Sequence, residues 1–173
     1  EHRTKPGDDH GVQHQHDHPR DDVPDRQRQQ HEDQEHVTPD GTVTLAVGTI
    51  DVGGSRASIG LMAAEELGIP YENVRVVVAD TSSLGHNDMT DGSRGTFSTG
   101  LATIAAARNA IKVLCARAAK MWDIPEDAVI WEDGHAKPAG TNAGNFPPLS
   151  IKEIAAAAGN TGGPIAGHNE LVA

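Results

Sequence analysis

The sequence predicts an α+β fold: a small mixed sheet with helices packed on one face, preceded by a disordered tail. Three observations carry this reading. Apolar residues concentrate in residues 41–173, where they make up 60 of 133, about 45% and ordinary for a globular chain. Within that segment, runs rich in Val, Ile and Thr alternate with stretches of helical spacing. Glycine, proline and asparagine punctuate the changes between them.

Residues 1–40 are unlike the rest. They hold all six glutamines, seven of the ten histidines and only three apolar residues, Val12, Val23 and Val37. Their 11 acidic and 5 basic residues contribute −6 of the net −11. Such a stretch cannot bury enough apolar surface to offset chain entropy, so disorder is expected, with fast amide exchange throughout 1–36. The abrupt change near residue 40 also fits a segment foreign to the domain, from a fusion, a wrong start site or a frameshift. His14, His16 and His18 alternate and could share a transition-metal ion, but a solvated polar tail accounts for them as well. The domain proper is therefore expected over 41–173.

Pro39-Asp40-Gly41 signals a turn. Thr42–Ile50 reads as a strand from its Val, Thr, Leu and Ile content. The glycine turn Asp51-Val52-Gly53-Gly54-Ser55 follows, and Ser55 or Ser58 can cap a helix reaching about Leu67. Gly68 suits the position after the helix, and Pro70 prevents continuation. Val74–Ala79 is nearly continuous in apolar character, the pattern of a strand buried on both faces.

Asp80–Gly95 is polar and, at roughly 16 residues, longer than an ordinary connection. A long helix is expected from about Thr96 to Met121. Phe97, Leu101, Ile104, Ile111, Leu114, Ala118 and Met121 recur at helical spacings and mark its buried face. Alanines at 102, 105, 106, 107 and 110 would let another element approach closely. Cys115 beside this stripe reads as a small core residue. Ala128–Glu132 and His135–Lys137 suggest a hairpin around Asp133-Gly134. Ser150 and Glu153 form a capping box for a helix to about Ala158. The Gly/Asn-rich stretch beyond is expected to end at Ala173 without a closing element.

Several function classes are disfavoured. One cysteine excludes a disulfide framework within the chain and a four-cysteine zinc site, and fits a reducing compartment. No apolar run approaches 18 residues, and Glu1-His2-Arg3-Thr4 lacks the apolar stretch of a secretory signal, so a cytoplasmic location without membrane insertion is expected. The charge of −11 opposes broad binding to nucleic acid or an anionic membrane.

Two glycine-bearing loops precede helices: Gly53-Gly54-Ser55-Arg56 and Thr90-Asp91-Gly92-Ser93-Arg94-Gly95-Thr96. Amides at a helix N-terminus, with hydroxyls and an Arg nearby, suit a phosphate or another anion, although tight turns between packed elements explain them equally. Neither loop matches the phosphate-loop or dinucleotide patterns. Asp80, Asp88 and Asp91, with His86 near them, could bind Mg²⁺ or Ca²⁺, but loop solvation is the simpler account. Residue types alone reach an anion-binding α/β unit and no further.

The order of motifs adds more. Gly48-Thr49-Ile50-Asp51-Val52-Gly53-Gly54-Ser55 is followed by Ala63-Ala64-Glu65-Glu66-Leu67-Gly68-Ile69-Pro70 and Val74-Arg75-Val76. Ala79-Asp80-Thr81, Thr90-Asp91-Gly92-Ser93-Arg94 and Gly100 complete the series. Over about residues 41–172 this resembles the molybdenum-binding large subunit of the xanthine dehydrogenase and aldehyde oxidase family. The resemblance implies part of a molybdopterin-binding domain and a molybdopterin cofactor, often in its dinucleotide form. It implies hydroxylation of an aldehyde or N-heterocycle with oxygen from water. It implies as partners the rest of the molybdenum subunit, iron–sulfur and flavin (FAD) subunits or domains, and a small-molecule substrate.

Carried over by position, the cofactor-binding residues are Gly53, Gly54, Thr90, Asp91, Gly92, Ser93 and Arg94. The glutamine common in the first turn is here Gly53. The family's upstream glycine-rich loop and downstream catalytic glutamate have no counterpart, so no catalytic residue is assigned and a piece inactive by itself is expected. A stand-alone anion- or metabolite-binding module and a product of a disrupted reading frame are the alternatives.

Overall fold

The computed structural model describes residues 31–78 and 94–171. The chain begins with strands β1 (His31–Val37) and β2 (Val43–Val47), helix α1 (Ser55–Leu67) and strand β3 (Val74–Val78). Helix α2 (Arg94–Trp122) and strands β4 (Val129–Glu132), β5 (His135–Pro138) and β6 (Leu149–Ser150) follow. Helices α3 (Ile151–Ala156) and α4 (Ala158–Thr161) and strand β7 (Ile165–Leu171) complete the order.

Four strands form a mixed sheet in the order β3-β2-β1-β7. β2 and β3 are parallel, and β1 is antiparallel to both β2 and β7. Along β2, Val43, Leu45 and Val47 are buried while Thr44 and Ala46 are only partly so, which places one face against the helices. Leu45, Val47 and Val74 pack there with Ile59, Ala63 and Ala64 of α1. A larger cluster joins Val43, Leu67 and Ile165 to Leu114 and Ala118 of α2 and to Ile151 and Ile154 of α3. Full burial of a side chain such as Leu114 contributes about 1.5–3 kcal/mol. This is the α+β arrangement expected.

Three differences from the sequence reading have clear causes. The expected tail runs too far: His31–Val37 is a strand paired with β7 along its length and with β2 from Gln34 on, so residues 34–36 should be protected from exchange rather than fast. Its polar sequence gives no strand signal because the backbone ladders, not apolar alternation, hold it. Residues 1–30, including His14, His16 and His18, lie outside the described residues. Second, the Gly/Asn-rich C-terminal stretch forms β7, paired with β1 over its whole length. Third, β3 is an edge strand with Val78 39% exposed, not one buried on both faces.

The long helix buries only part of the expected stripe: Leu114 and Ala118 are buried and Ile104 and Ile111 partly so. Ala102, Thr103, Ala106, Ala107, Ala110, Leu114, Ala118 and Ala119 are buried, whereas Phe97, Leu101 and Met121 are exposed. Close packing of β7 on α2 selects the alanines. A Cβ added at Gly167 would sit 2.6 Å from the Ala110 nitrogen and 2.8 Å from its Cβ. Larger residues cannot occupy that seam.

The remaining elements follow their local signals. Gly68 closes α1 at φ 70°, donating its N–H toward the Ala64 and Glu65 carbonyls. Asp133 and Gly134 both have positive φ, which gives the β4–β5 hairpin its tight turn. Gly134 and Gly68 lie back to back, a Cβ on Gly134 falling 2.5 Å from the Gly68 oxygen. Trp131 Nε1 donates to the Leu67 carbonyl at 2.9 Å, tying the hairpin to the end of α1. Ser150 and Glu153 form the capping box of α3.

Candidate functional site

Position is the main property of the candidate site. β2 leads through residues 48–54 into α1, and β3 leads through residues 79–93 into α2. The two strands are parallel. The helices also run in the same sense: Gly100 faces Met62, where an added Cβ would be 2.6 Å from the sulfur, and further along Arg108 Nε meets Glu66 Oε1 at 2.7 Å. At 1.5 Å per residue, Ser55 and Arg94 each lie about 10 Å back from the Met62–Gly100 contact. The 48–54 connection and the amino end of α2 therefore lie at one end of the layer, beyond the carboxyl end of β2. Ligands of open α/β sheets bind in such a place.

The first connection is described in full. Ser55 N donates to the Val52 carbonyl at 3.2 Å, closing a turn whose central residues are Gly53 at φ 62° and Gly54 at φ 78°. Two consecutive left-handed residues explain the Gly-Gly pair. Both are exposed, and a Cβ at either would meet nothing within 4 Å. Among the described residues, no hydrogen bond takes up either N–H. Among the described residues, the turn thus presents two adjacent backbone donors that nothing covers.

The N-cap is Gly54, which has no side chain to cap with, rather than Ser55 or Ser58. Asp51 substitutes for it. Its Oδ1 accepts the Arg56 N–H at 3.0 Å, and its Oδ2 lies 3.4 Å from Arg56 Nε. The arginine expected to favour an anion is therefore turned toward a carboxylate already present. Sequence reading passed over Asp51, although an acid three residues before a glycine N-cap is a legible signal for this substitute cap.

Of the second connection, the structure describes only its end. Arg94 opens α2, so its backbone lies at the same end of the layer as Gly53 and Gly54. Thr90, Asp91, Gly92 and Ser93 lie outside the described residues, as do Asp80, His86 and Asp88. Among the described residues, no group of three or more His, Cys, Asp or Glu is placed to hold a metal ion. Cys115 packs half-buried against the core, and burial pushes its thiol pKa up, away from nucleophilic character. An open depression lined by Asp127, Ala128, Ala139, Gly140 and Thr141 belongs to the connections flanking the separate three-stranded sheet β4-β5-β6. No helix of the described residues is long and apolar enough to cross a membrane.

The fold is that of an α/β unit whose parallel strands β2 and β3 lead into two helices, with the Gly53–Gly54 turn and the amino end of α2 at one end of the layer. Comparison with known proteins makes the class specific. The family model of the molybdopterin cofactor-binding domain matches residues 21–171, and the chain belongs to that family. It is 33% identical over 108 residues to the carbon monoxide dehydrogenase large chain of Hydrogenophaga pseudoflava, covering 62% of this chain. It is 30% identical over 118 residues to the nicotine 6-hydroxylase large subunit of Paenarthrobacter nicotinovorans, covering 68% of this chain. Only 13% and 14% of those relatives are matched, so the chain spans about one seventh of their length.

Among solved structures, Cu,Mo-CO dehydrogenase in its carbon monoxide reduced state superposes with a TM-score of 0.71 at 25% identity. That match covers 83% of this chain and 18% of the other. Quinoline 2-oxidoreductase from Pseudomonas putida 86 shares the fold, with a TM-score of 0.67 at 18% identity over 82% of this chain and 19% of its own.

The cofactor of this family is molybdopterin. The described part of the site fits it: two exposed, unengaged amides that nothing covers among the described residues suit a polar group held by backbone donors.

Proposed function

We propose that this chain is a piece of the large subunit of a molybdenum hydroxylase and that it contributes two of the loops holding molybdopterin. The chief support is the Gly53–Gly54 turn lying at the same end of the layer as the amino end of α2, in a chain whose family is defined by that cofactor. Gly53 and Gly54 bind through their N–H groups. Thr90, Asp91, Gly92, Ser93 and Arg94 line the same pocket from the second connection. The cofactor, bound as the dinucleotide, supplies the redox chemistry of hydroxylating an aldehyde or N-heterocycle with oxygen from water. This chain binds and orients it, and the general base comes from the rest of the subunit. Iron–sulfur clusters and a flavin on partner subunits carry the electrons away, in the cytoplasm. Alone, the chain is inactive.

The names of the curated relatives, a large chain and a large subunit, fit a protein that works within an assembly. The test is coexpression with the remaining large-subunit sequence and the iron–sulfur and flavin subunits in a molybdenum-replete host. Molybdenum and pterin should copurify and dye-linked oxidation should appear. An assembled complex without molybdenum or pterin refutes the reading.

A further inference from the structure

The four-stranded sheet has two outer strands, and they are finished differently. β7 carries His168 and Asn169, and Asn109 of α2 donates its Nδ2 hydrogen to the His168 carbonyl at 2.9 Å. β3 reads Val74-Arg75-Val76-Val77-Val78, with one charge, no proline and an unbroken register against β2. Edges that must stay single are ordinarily blunted by charges, proline or a bulge. The Val74 N–H is bonded to the Tyr71 carbonyl, so it does not point at β2. N–H groups alternate in direction along a strand, so those of Arg75 and Val77 face β2 and those of Val76 and Val78 face outward. Among the described residues, nothing accepts either outward N–H.

The flank above this edge is apolar. Gly60 lets α1 sit close, since a Cβ there would be 2.8 Å from Val76 Cγ2 and 3.1 Å from Tyr71 Cε2. The Tyr71 ring therefore lies near Val76 at the rim of the core and is 43% exposed. Val78 shares the face of Val74 and Val76 and is also exposed. A strand laid along β3 would take up both outward amides and cover both side chains.

We propose that the outer edge of β3 is an interaction surface that receives an extended segment from the rest of the large subunit, apolar on its core-facing side, as a fifth strand of the sheet. The curated relatives carry this unit as about one seventh of their length, so sequence able to supply such a strand lies outside the matched part. This docking rests on the large-subunit reading above and not on the cofactor.

The test follows amide exchange in the full chain, alone and coexpressed with the remaining large-subunit sequence. Alone, the Val76 and Val78 amides should exchange fast while those of Arg75 and Val77 are protected. In the assembled subunit Val76 and Val78 should slow by about 100-fold. Fast exchange at Val76 and Val78 in the assembly overturns the proposal, as does failure of the two sequences to associate. Protection already present in the chain alone also overturns it: protection that grows with concentration identifies a second copy as the occupant, and protection independent of concentration shows that the chain covers its own edge.

Val78→Pro removes one outward donor and spares the β2 ladder, so it should leave the urea midpoint of the chain alone near wild type and weaken association about ten-fold. Val78→Ala keeps the amide and should weaken association by about two-fold at most. Association that survives the proline, or falls equally with the alanine, overturns strand addition. Should Val78→Pro unfold the chain, the exchange pattern of the wild type decides by itself. Pterin content reports separately on the cofactor: a complex with a protected β3 edge and no pterin sinks the molybdopterin reading and leaves the docking intact.

Discussion

Gly167→Ala is the most demanding test of how the sheet meets its helix. Gly167 lies in β7 opposite Glu35 of β1, and it faces α2 at Ala106 and Ala110. A methyl there would stand 2.6 Å from the Ala110 nitrogen, and nearer still to the Ala106 oxygen. Carbon contacts are comfortable at ~3.5 Å or more, so strand and helix must separate by about 1 Å. The obstructing atoms are mostly helix backbone, which cannot rotate away as a side chain could. Overpacking of this kind costs about 1–3 kcal/mol, and rigid obstruction argues for ~3. For a folded unit of this size that corresponds to a fall in Tm of roughly 10 °C.

Urea denaturation followed by circular dichroism measures the loss directly, with the m-value checking that the unfolding transition is otherwise unchanged. Gly159→Ala is the control. Nothing lies within 4 Å of its added Cβ and its φ is not positive, so it should be neutral or stabilise by about 0.5 kcal/mol. A loss below about 1 kcal/mol for Gly167→Ala would show that β7 yields freely and that the alanine seam is not a close-packed one.

Other expectations follow from single contacts. Trp131→Phe strands the Leu67 carbonyl at the end of α1 and should cost about 1 kcal/mol in the same denaturation assay. The Glu153 pKa is lowered by its hydrogen bonds with Ser150, so its contribution to stability is present above the ordinary glutamate pKa and is lost as pH falls through the lower folded value. Glu153→Gln should therefore flatten the acid limb of a stability–pH profile, and an unchanged limb would count against the capping box. Phe97 is 70% exposed and Leu101 47%, on the outer face of α2, so the isolated chain should self-associate in sedimentation velocity and the double change to serine should reduce it.

How far the sequence could be read depended on whether each signal was local. The α1 helix, its Gly68 terminus, the hairpin at Asp133-Gly134 and the capping box at Ser150 all announce themselves within a few residues, and each is present. β1 and β7 are invisible to the same reading because each is stabilised by the other, across more than 120 residues. The glycine turn was legible as a turn and as an approach to a ligand, but not as one already capped. That required seeing Asp51 fold back on Arg56, a contact that residue types permit and only the backbone path decides.

The α2 stripe shows a further limit. Periodicity marked Phe97, Leu101, Ile104, Ile111, Leu114, Ala118 and Met121 as the buried face; Leu114 and Ala118 are buried, but Phe97, Leu101 and Met121 are exposed and alanines fill most of the buried stripe. Hydrophobic burial favours large side chains only where there is volume to fill. Where Gly167 brings a strand against the backbone of α2, the residue that fits is the smallest one, and the contact gains through closeness what it lacks in area. A run such as Ala102, Ala106 and Ala110 is then itself the core signal, and a glycine in the facing strand is its counterpart. This pairing sets the distance between α2 and the sheet. It therefore also sets where the amino end of α2, and Arg94 with it, stands relative to the Gly53–Gly54 turn.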